Sequence, residues 1–258
     1  MAILDVVEEQ GNSSDDEEVI DMMVTAYLLS LESMMTTVQY MLYCSAKNPE
    51  VEEKCLEEIN SVLEKSGELD VDQLPYCNAF IMEVLRLYPI LPFSWRKLES
   101  PLTIGKTTLP AGMKVYVPYY HLHRDKNNFP RPTEVLPERW VQRSSSGGWE
   151  HRANDTKPGK IGVATIPVPP IVSEGNDAPL DTVKGHIPAG DRKALFSFGK
   201  GGRNCPGMRI AKKEACIFFT ELIRHFKFEL EPGSVVQPKV KGVGQKPFGG
   251  IPFIVSRR

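Results

Sequence analysis

The sequence lacks the marks of several large protein classes. It has no excess of positive charge: 31 Lys and Arg stand against 33 Asp and Glu, a formal net charge of −2, which leaves no basic field for a nucleic-acid backbone. The five cysteines (Cys44, Cys55, Cys77, Cys205, Cys216) are odd in number and include no Cys-x-x-Cys pair. Neither a disulfide framework nor a zinc site is expected, and a reducing compartment is. The five histidines show no metal-ligand spacing and read as ordinary. There is no uninterrupted run of 18 apolar residues, so no membrane span is expected. The acidic first 20 residues lack the basic and apolar regions of a signal peptide. What remains is ordinary globular composition, 41% hydrophobic and 25% charged, over 258 residues, enough for one large domain or two small ones. Two short glycosylation sequons, at Asn12 and Asn154, carry little weight at that length.

The order of elements predicts a mainly α chain with a small β portion. A long helical pattern from about Glu17 to Ala46 is apolar on most sides, with Glu32 the one charge in its middle; such a helix is expected to be a buried central one. Asn48-Pro49 stops it and starts a second, amphipathic helix from Glu50 to about Lys65, closed by Gly67. A third runs from about Asp72 to Leu87, before Pro89. Short β-type runs at Leu102–Ile104 and Lys114–Val117 predict a small sheet. Irregular proline-rich chain extends from His121 to Trp140, and 143–190 reads as a flexible loop insertion. A last helix follows from about Pro206 to Phe226, and the tail around Ile251–Val255 reads as a strand pair. Residues 1–14 form an acidic lead-in, and 1–258 is taken as a single domain.

Chemistry concentrates in Phe196–Gly207. Four glycines and an arginine surround Cys205, and a helix begins directly after it. A loop this rich in glycine lets backbone approach something large or flat. Its N–H groups, with the helix N-terminus beyond, favour a thiolate, and Arg203 is placed to meet an anionic group of the same ligand. One soft anion beside a cation suits a metal held in a planar cofactor. An ordinary glycine-rich turn with a buried cysteine is the bland alternative. Three other motifs fail on inspection. His123-Arg124-Asp125 lacks the asparagine of a kinase catalytic loop, which falls on Pro130. Gly105-Lys106-Thr107 has Ser100 where a phosphate loop begins with glycine. Gly199-x-Gly201 has Asn204 where a dinucleotide loop has its third glycine.

Elsewhere, Glu83 and Arg86 share a helix face. Such a pair is ordinarily solvated and worth a few tenths of a kcal/mol, but Phe80, Ile81, Val84, Leu85 and Leu87 around it argue for burial, which calls for a further partner such as Arg139. Arg96 reads, taken alone, as a surface arginine beside Trp95.

Phe198-Gly199-x-Gly201-x-Arg203-x-Cys205-x-Gly207, with Glu83-x-x-Arg86 and Pro137-Glu138-Arg139-Trp140 in order before it, resembles the cytochrome P-450 superfamily. The resemblance runs from about Asp15 to the C-terminus, interrupted at 143–190, and corresponds to the C-terminal half of a typical member. The chain is therefore expected to be a partial domain, a fragment or truncated product.

The resemblance implies a haem-thiolate monooxygenase. Cys205 would be the axial ligand of heme b, its thiolate favouring O–O cleavage. Phe198, Gly199 and Gly207 would pack about the sulfur and the cofactor, Arg96 and Arg203 would bind propionates, and Glu83, Arg86 and Arg139 would form a structural triad. Glu32 and Ser33 would be an acid–alcohol pair relaying protons in a locally opened helix. Here the chain departs from the family: Ser33 stands for the usual threonine, and Leu29-Ser30 for Ala-Gly. Further implications are electrons from NADPH through a reductase or ferredoxin, a hydrophobic small-molecule substrate, and, for a full-length form, the cytosolic face of the endoplasmic reticulum membrane. The central helix, Leu91–Ser94 and the tail around Lys241–Gln245 would contribute to the substrate pocket. Two rival readings are a haem-thiolate isomerase or dehydratase that rearranges a peroxide, and a non-catalytic haem-binding fragment.

Overall fold

The computed structural model describes residues 16–152, 192–241 and 244–258. The acidic lead-in and all but the start of the 143–190 insertion lie outside the described residues. Helices and small antiparallel strand pairs make up the rest, as the order of sequence patterns predicts.

The first helix, α1 (Asp16–Lys47), is continuous. It is not the fully buried helix expected. Ile20, Met23, Val24, Tyr27, Leu28, Leu29 and Leu31 are exposed, and full burial begins near Thr36 and takes in Tyr40, Met41 and Cys44. The apolar pattern runs the length of α1, but the described elements bury only its C-terminal turns. By length and composition Glu18–Lys47 is also apolar enough to cross a membrane, with mean hydropathy 1.2 in its best window. A search for an uninterrupted apolar run misses this because Glu32 divides the stretch. Its last turns nevertheless lie inside the protein core.

Helix α2 (Pro49–Ser66) starts on Pro49, whose missing N–H costs nothing at a first helical position, and buries Val51, Cys55, Ile59 and Val62 on one face. The third helix is shorter than predicted. A 3-10 turn at Val71–Gln73 precedes α3 (Pro75–Leu87), because the residue before Pro75 is held out of the α region, with Leu74 at φ −112° and ψ 67°. Glu58 of α2 reaches across to accept from the backbone N–H groups of Tyr76 and Cys77 at 2.8 and 2.9 Å. It thus caps the start of α3 from another helix, and burial raises its pKa above the usual carboxylate range.

Strand β1 (Ser94–Lys97) pairs antiparallel with β4 (Lys114–Val117), and β2 (Leu102–Ile104) with β3 (Thr107–Leu109). The expected sheet is therefore two separate two-stranded pairs. Helix α4 (Tyr119–Leu122) and a 3-10 turn at Pro137–Arg139 interrupt the irregular stretch. The insertion does not begin as loop: β5 (Val141–Arg143) and β6 (Trp149–His151) form a hairpin across Ser144–Gly148. The serine–glycine run is its turn, and Arg143 and Trp149 are cross-strand partners with the guanidinium carbon 4.0 Å from the ring centroid.

Helix α5 (Met208–His225) leads directly into β7 (Phe226–Leu230). The tail strand β10 (Phe253–Arg257) returns to pair with β7, while β8 (Gln237–Lys241) and β9 (Gly244–Phe248) form their own hairpin. The tail thus holds two pairings rather than the one expected. The core gathers the end of α1 with α2, α3 and α5. Phe80 meets Phe219 at 4.9 Å between ring centroids, and Tyr40 stacks on Tyr88 at 4.3 Å.

Candidate functional site

Backbone geometry builds the cysteine loop. Gly199 has φ +70°, and a Cβ there would lie 3.7 Å from Asn204 Cα, so glycine serves both the turn and the close approach. The Gly199 N–H donates to Phe196 O at 2.8 Å, and the Cys205 N–H donates to Phe198 O at 2.8 Å. These bonds fold the loop back on itself and place Cys205 just before Gly207, the N-cap of α5. A Cβ on Gly207 would sit 4.0 Å from Cys205 Sγ. Cys205 is exposed, while Cys44, Cys55, Cys77 and Cys216 are all buried. The one accessible thiol therefore lies just ahead of the N-terminus of an 18-residue helix. Cys205 is thus not the buried cysteine of the bland alternative.

Behind the loop lies a buried ion cluster. Glu83, Arg86 and Arg139 have fully buried side chains. Glu83 accepts from Arg86 Nε at 3.0 Å, Arg86 Nη2 at 2.7 Å and Arg139 Nε at 3.0 Å. The Leu136 N–H adds a donor at 3.2 Å and the Trp140 indole another at 3.0 Å. Arg86 donates onward to His123 O at 2.7 Å, Pro132 O at 2.6 Å and Glu134 O at 3.0 Å. Burial lowers the pKa of Arg139, and the facing carboxylate of Glu83 opposes that. The Glu83 carboxylate is fully engaged by these donors, while Arg139 Nη1 is buried without a hydrogen-bond partner among the described residues. The cluster holds the 132–140 segment against α3.

The sequence reading missed Trp140 and His123. Trp140 adjoins Arg139 in the quoted motif, and its indole is a donor that demands a partner once buried. His123 was read as ordinary, yet it is fully buried. Its Nδ1 lies 3.0 Å from Arg86 O, and its Nε2 accepts from the Phe196 N–H at 2.8 Å. Burial pulls its pKa down to about 4. Nothing local in the sequence marks either contact, since both partners are 37 or more residues away.

The other predicted residues are more dispersed. Arg96 is exposed and turns its guanidinium onto its own strand, donating to Ser94 Oγ at 2.9 Å and Trp95 O at 2.8 Å. Arg203 is exposed beside the cysteine. Among the described residues neither has an ion-pair partner, so both guanidinium groups are available to an anion. Glu32 pairs with Lys246 of β9. Ser33 donates to Leu29 O at 2.7 Å, while Thr36 and Thr37 donate to Glu32 O and Ser33 O. The helix around Glu32 and Ser33 is unbroken, so the local opening implied by the resemblance is absent. Each of these hydroxyls bonds back to its own helix instead.

The tail does meet the Leu91 segment. The Gln245 N–H donates to Ile90 O at 2.7 Å, and a Cβ on Gly244 would come within 3.1 Å of the same oxygen. With Lys246 on Glu32, the structure joins the three segments expected to share a pocket.

Residues 2–250 match the family model described as Cytochrome P-450. Among curated proteins the chain is 27% identical to cytochrome P-450 27C1 of Danio rerio over 231 residues, covering 88% of this chain and 35% of that protein. It is 28% identical to cytochrome P-450 10 of Lymnaea stagnalis over 220 residues, covering 84% of this chain and 33% of that protein. It is 26% identical to the mitochondrial 25-hydroxyvitamin D-1 alpha hydroxylase of Homo sapiens over 227 residues, covering 85% of this chain and 36% of that protein. The chain thus spans about a third of the length of these relatives.

Proposed function

The chain belongs to the cytochrome P-450 family, and from that premise we propose that it serves a haem-dependent monooxygenase in which Cys205 is the axial thiolate of heme b. The observation that carries this reading is the position of Cys205: the single exposed thiol, on a glycine-relieved loop, ahead of α5. A cysteine ahead of a helix N-terminus, with the Arg96 and Arg203 guanidinium groups lacking ion-pair partners among the described residues, suits an iron porphyrin bearing carboxylates.

In this reading Cys205 holds the iron, Phe198 and Gly199 pack against the ligand sulfur, and Gly207 leaves room beside it. Arg96 and Arg203 bind the propionates once Arg96 swings off its own strand. A haem held there would supply the reductive activation of dioxygen, from which one oxygen atom would enter an apolar substrate and the other would leave as water. Glu32 and Ser33 are the chain's own groups for moving protons. To do so, Glu32 must exchange Lys246 for water or substrate, and Ser33 must release Leu29 O. Glu83, Arg86 and Arg139 keep the supporting segment fixed and take no part in proton transfer. Lys200 and Arg209, exposed near the two ends of the loop, suit an acidic electron donor such as a reductase or ferredoxin. In a longer form, attachment to the endoplasmic reticulum membrane, cytosolic face, belongs to the same proposal.

The test is a carbon monoxide difference spectrum of the reduced, haem-reconstituted protein. A Soret band near 450 nm supports thiolate ligation, and Cys205→Ala should abolish it. A band that survives the substitution overturns the ligand assignment, and failure to take up haem overturns the reading for this chain. Oxygen uptake dependent on NADPH and a reductase then separates a monooxygenase from a peroxide-rearranging isomerase or dehydratase.

A further inference from the structure

We propose that His123 is a positioning residue that ties the cysteine loop to the buried ion cluster, working as the ring tautomer protonated on Nδ1. The assignment follows from what its partners can do. Arg86 O only accepts, so Nδ1, 3.0 Å away, carries the proton. The Phe196 N–H only donates, so Nε2, 2.8 Å away, carries the lone pair. Both ring nitrogens are thus committed, and the ring is fully buried, which leaves His123 neither a metal ligand nor a proton shuttle.

The two bonds lie on one continuous path. Arg86 is fixed by Glu83. Its carbonyl accepts from His123, and His123 accepts from Phe196. Phe196 O then accepts from the Gly199 N–H, and Phe198 O from the Cys205 N–H, each at 2.8 Å. In return, Arg86 Nη1 donates to the carbonyl of His123 at 2.7 Å, fixing the backbone that carries the ring. A second tie runs in parallel, from Ser197 Oγ to Leu85 O at 3.0 Å. Tyr119 stacks on Phe196 at 5.3 Å and on the imidazole at 6.4 Å between centroids, closing the remaining side. Linked hydrogen bonds reinforce one another, and this path runs from the buried ring of His123 out through the half-buried Phe196–Gly199 segment to the exposed Cys205, so orientation set at Glu83 is passed to the amide of Cys205.

No other neutral side chain offers a donor and an acceptor at opposite ends of one rigid ring. An Asn amide occupies the place of Nδ1 and can keep the Arg86 bond, whereas a Gln amide reaches the place of Nε2 and can keep the Phe196 bond. The pair of variants therefore separates the two ties. Amide hydrogen exchange in the full chain without haem is the readout, so failure of this inference is distinguishable from failure of the haem reading. His123→Asn should speed exchange at Phe196 and Cys205 about tenfold, the loss of one part-buried hydrogen bond, while amides in α2 and α5 keep their rates. His123→Gln should leave Phe196 closer to the unsubstituted rate. Unchanged loop exchange in His123→Asn, or equal acceleration everywhere, overturns the proposal. Nitrogen-15 NMR of the histidine ring in the unsubstituted protein at neutral pH tests it even where the variants do not fold. A pyridine-type Nε2 with a protonated Nδ1 is expected, and a proton on Nε2 overturns it.

Discussion

The indole of Trp140 donates to Glu83 Oε2 at 3.0 Å, inside the same cluster that holds two arginines. Glu83 is a fully buried carboxylate that receives hydrogen bonds from Arg86, Arg139, Leu136 and Trp140. It joins α3 to the Pro137–Arg139 turn, and its environment gives it value only while all partners stay. Replacing Trp140 by Phe preserves most of the apolar volume but removes one donor to a charged group, a loss of about 2 kcal/mol. Glu83→Gln should cost more, about 3–5 kcal/mol, because two guanidinium groups stay buried against a neutral amide. Urea unfolding of both variants beside the unsubstituted chain measures the order.

Acid should weaken the molecule through His123. Burial holds its pKa near 4, against an ordinary value of 6.5, while the Arg86 carbonyl pulls the other way and the charges of Arg86, Arg124 and Lys200 add to the lowering. The unfolded chain therefore binds the proton first as pH falls. The stability due to the neutral ring is fully present above pH 6.5 and is lost between about 6.5 and 4, with a limit of roughly 3 kcal/mol. Urea midpoints measured across that window should fall for the unsubstituted chain and flatten in His123→Asn. An equal slope in both assigns the acid sensitivity to other groups.

Gly199→Ala should disturb the cysteine loop more than its size suggests. The backbone there sits at φ +70°, a conformation that costs an L-residue about 1–2 kcal/mol. The added methyl meets Asn204 Cα at an ordinary contact distance of 3.7 Å, so strain rather than collision is the expected cause. Alkylation of Cys205 by iodoacetamide, with the other four thiols buried, reports on the loop directly. A changed rate with unchanged circular dichroism is the expected result.

Lys246 should matter to activity more than to stability. Its ion pair with Glu32 joins β9 to α1, with side-chain exposures of 35% and 39%, and pairs that exposed contribute no more than about 1 kcal/mol. Lys246→Met should therefore leave the unfolding midpoint nearly unchanged while releasing Glu32. In reconstituted protein, a faster proton-dependent step in Lys246→Met and a slower one in Glu32→Gln is the outcome that supports a relay through Glu32. Equal rates in all three proteins argue against it.

Much of this was legible without coordinates, and for a physical reason. Signals carried by neighbours in sequence survive: Pro49 and Gly67 bounding α2, the glycines before Cys205, and the three-residue spacing of Glu83 and Arg86 with apolar residues between. These set local backbone choices that tertiary packing left in place, the expected burial of the pair called for a further partner such as Arg139, and the resemblance supplied the family and the triad. Other features depended on which surfaces meet. The apolar pattern of α1 does not say which of its turns are covered, and only the structure shows burial starting near Thr36. The serine–glycine run after Arg143 becomes a hairpin because the flanking residues find each other as strands. The roles of Trp140, His123 and Lys246 come from partners 57, 37 and 73 residues away, and 214 residues away in the ion pair with Glu32, where no local pattern reaches. The sequence by itself determined that a glycine-rich turn precedes Cys205 and that a helix follows it. The tertiary structure decided what holds that loop in place, because buried hydrogen-bonding groups must find partners wherever the folded chain brings them.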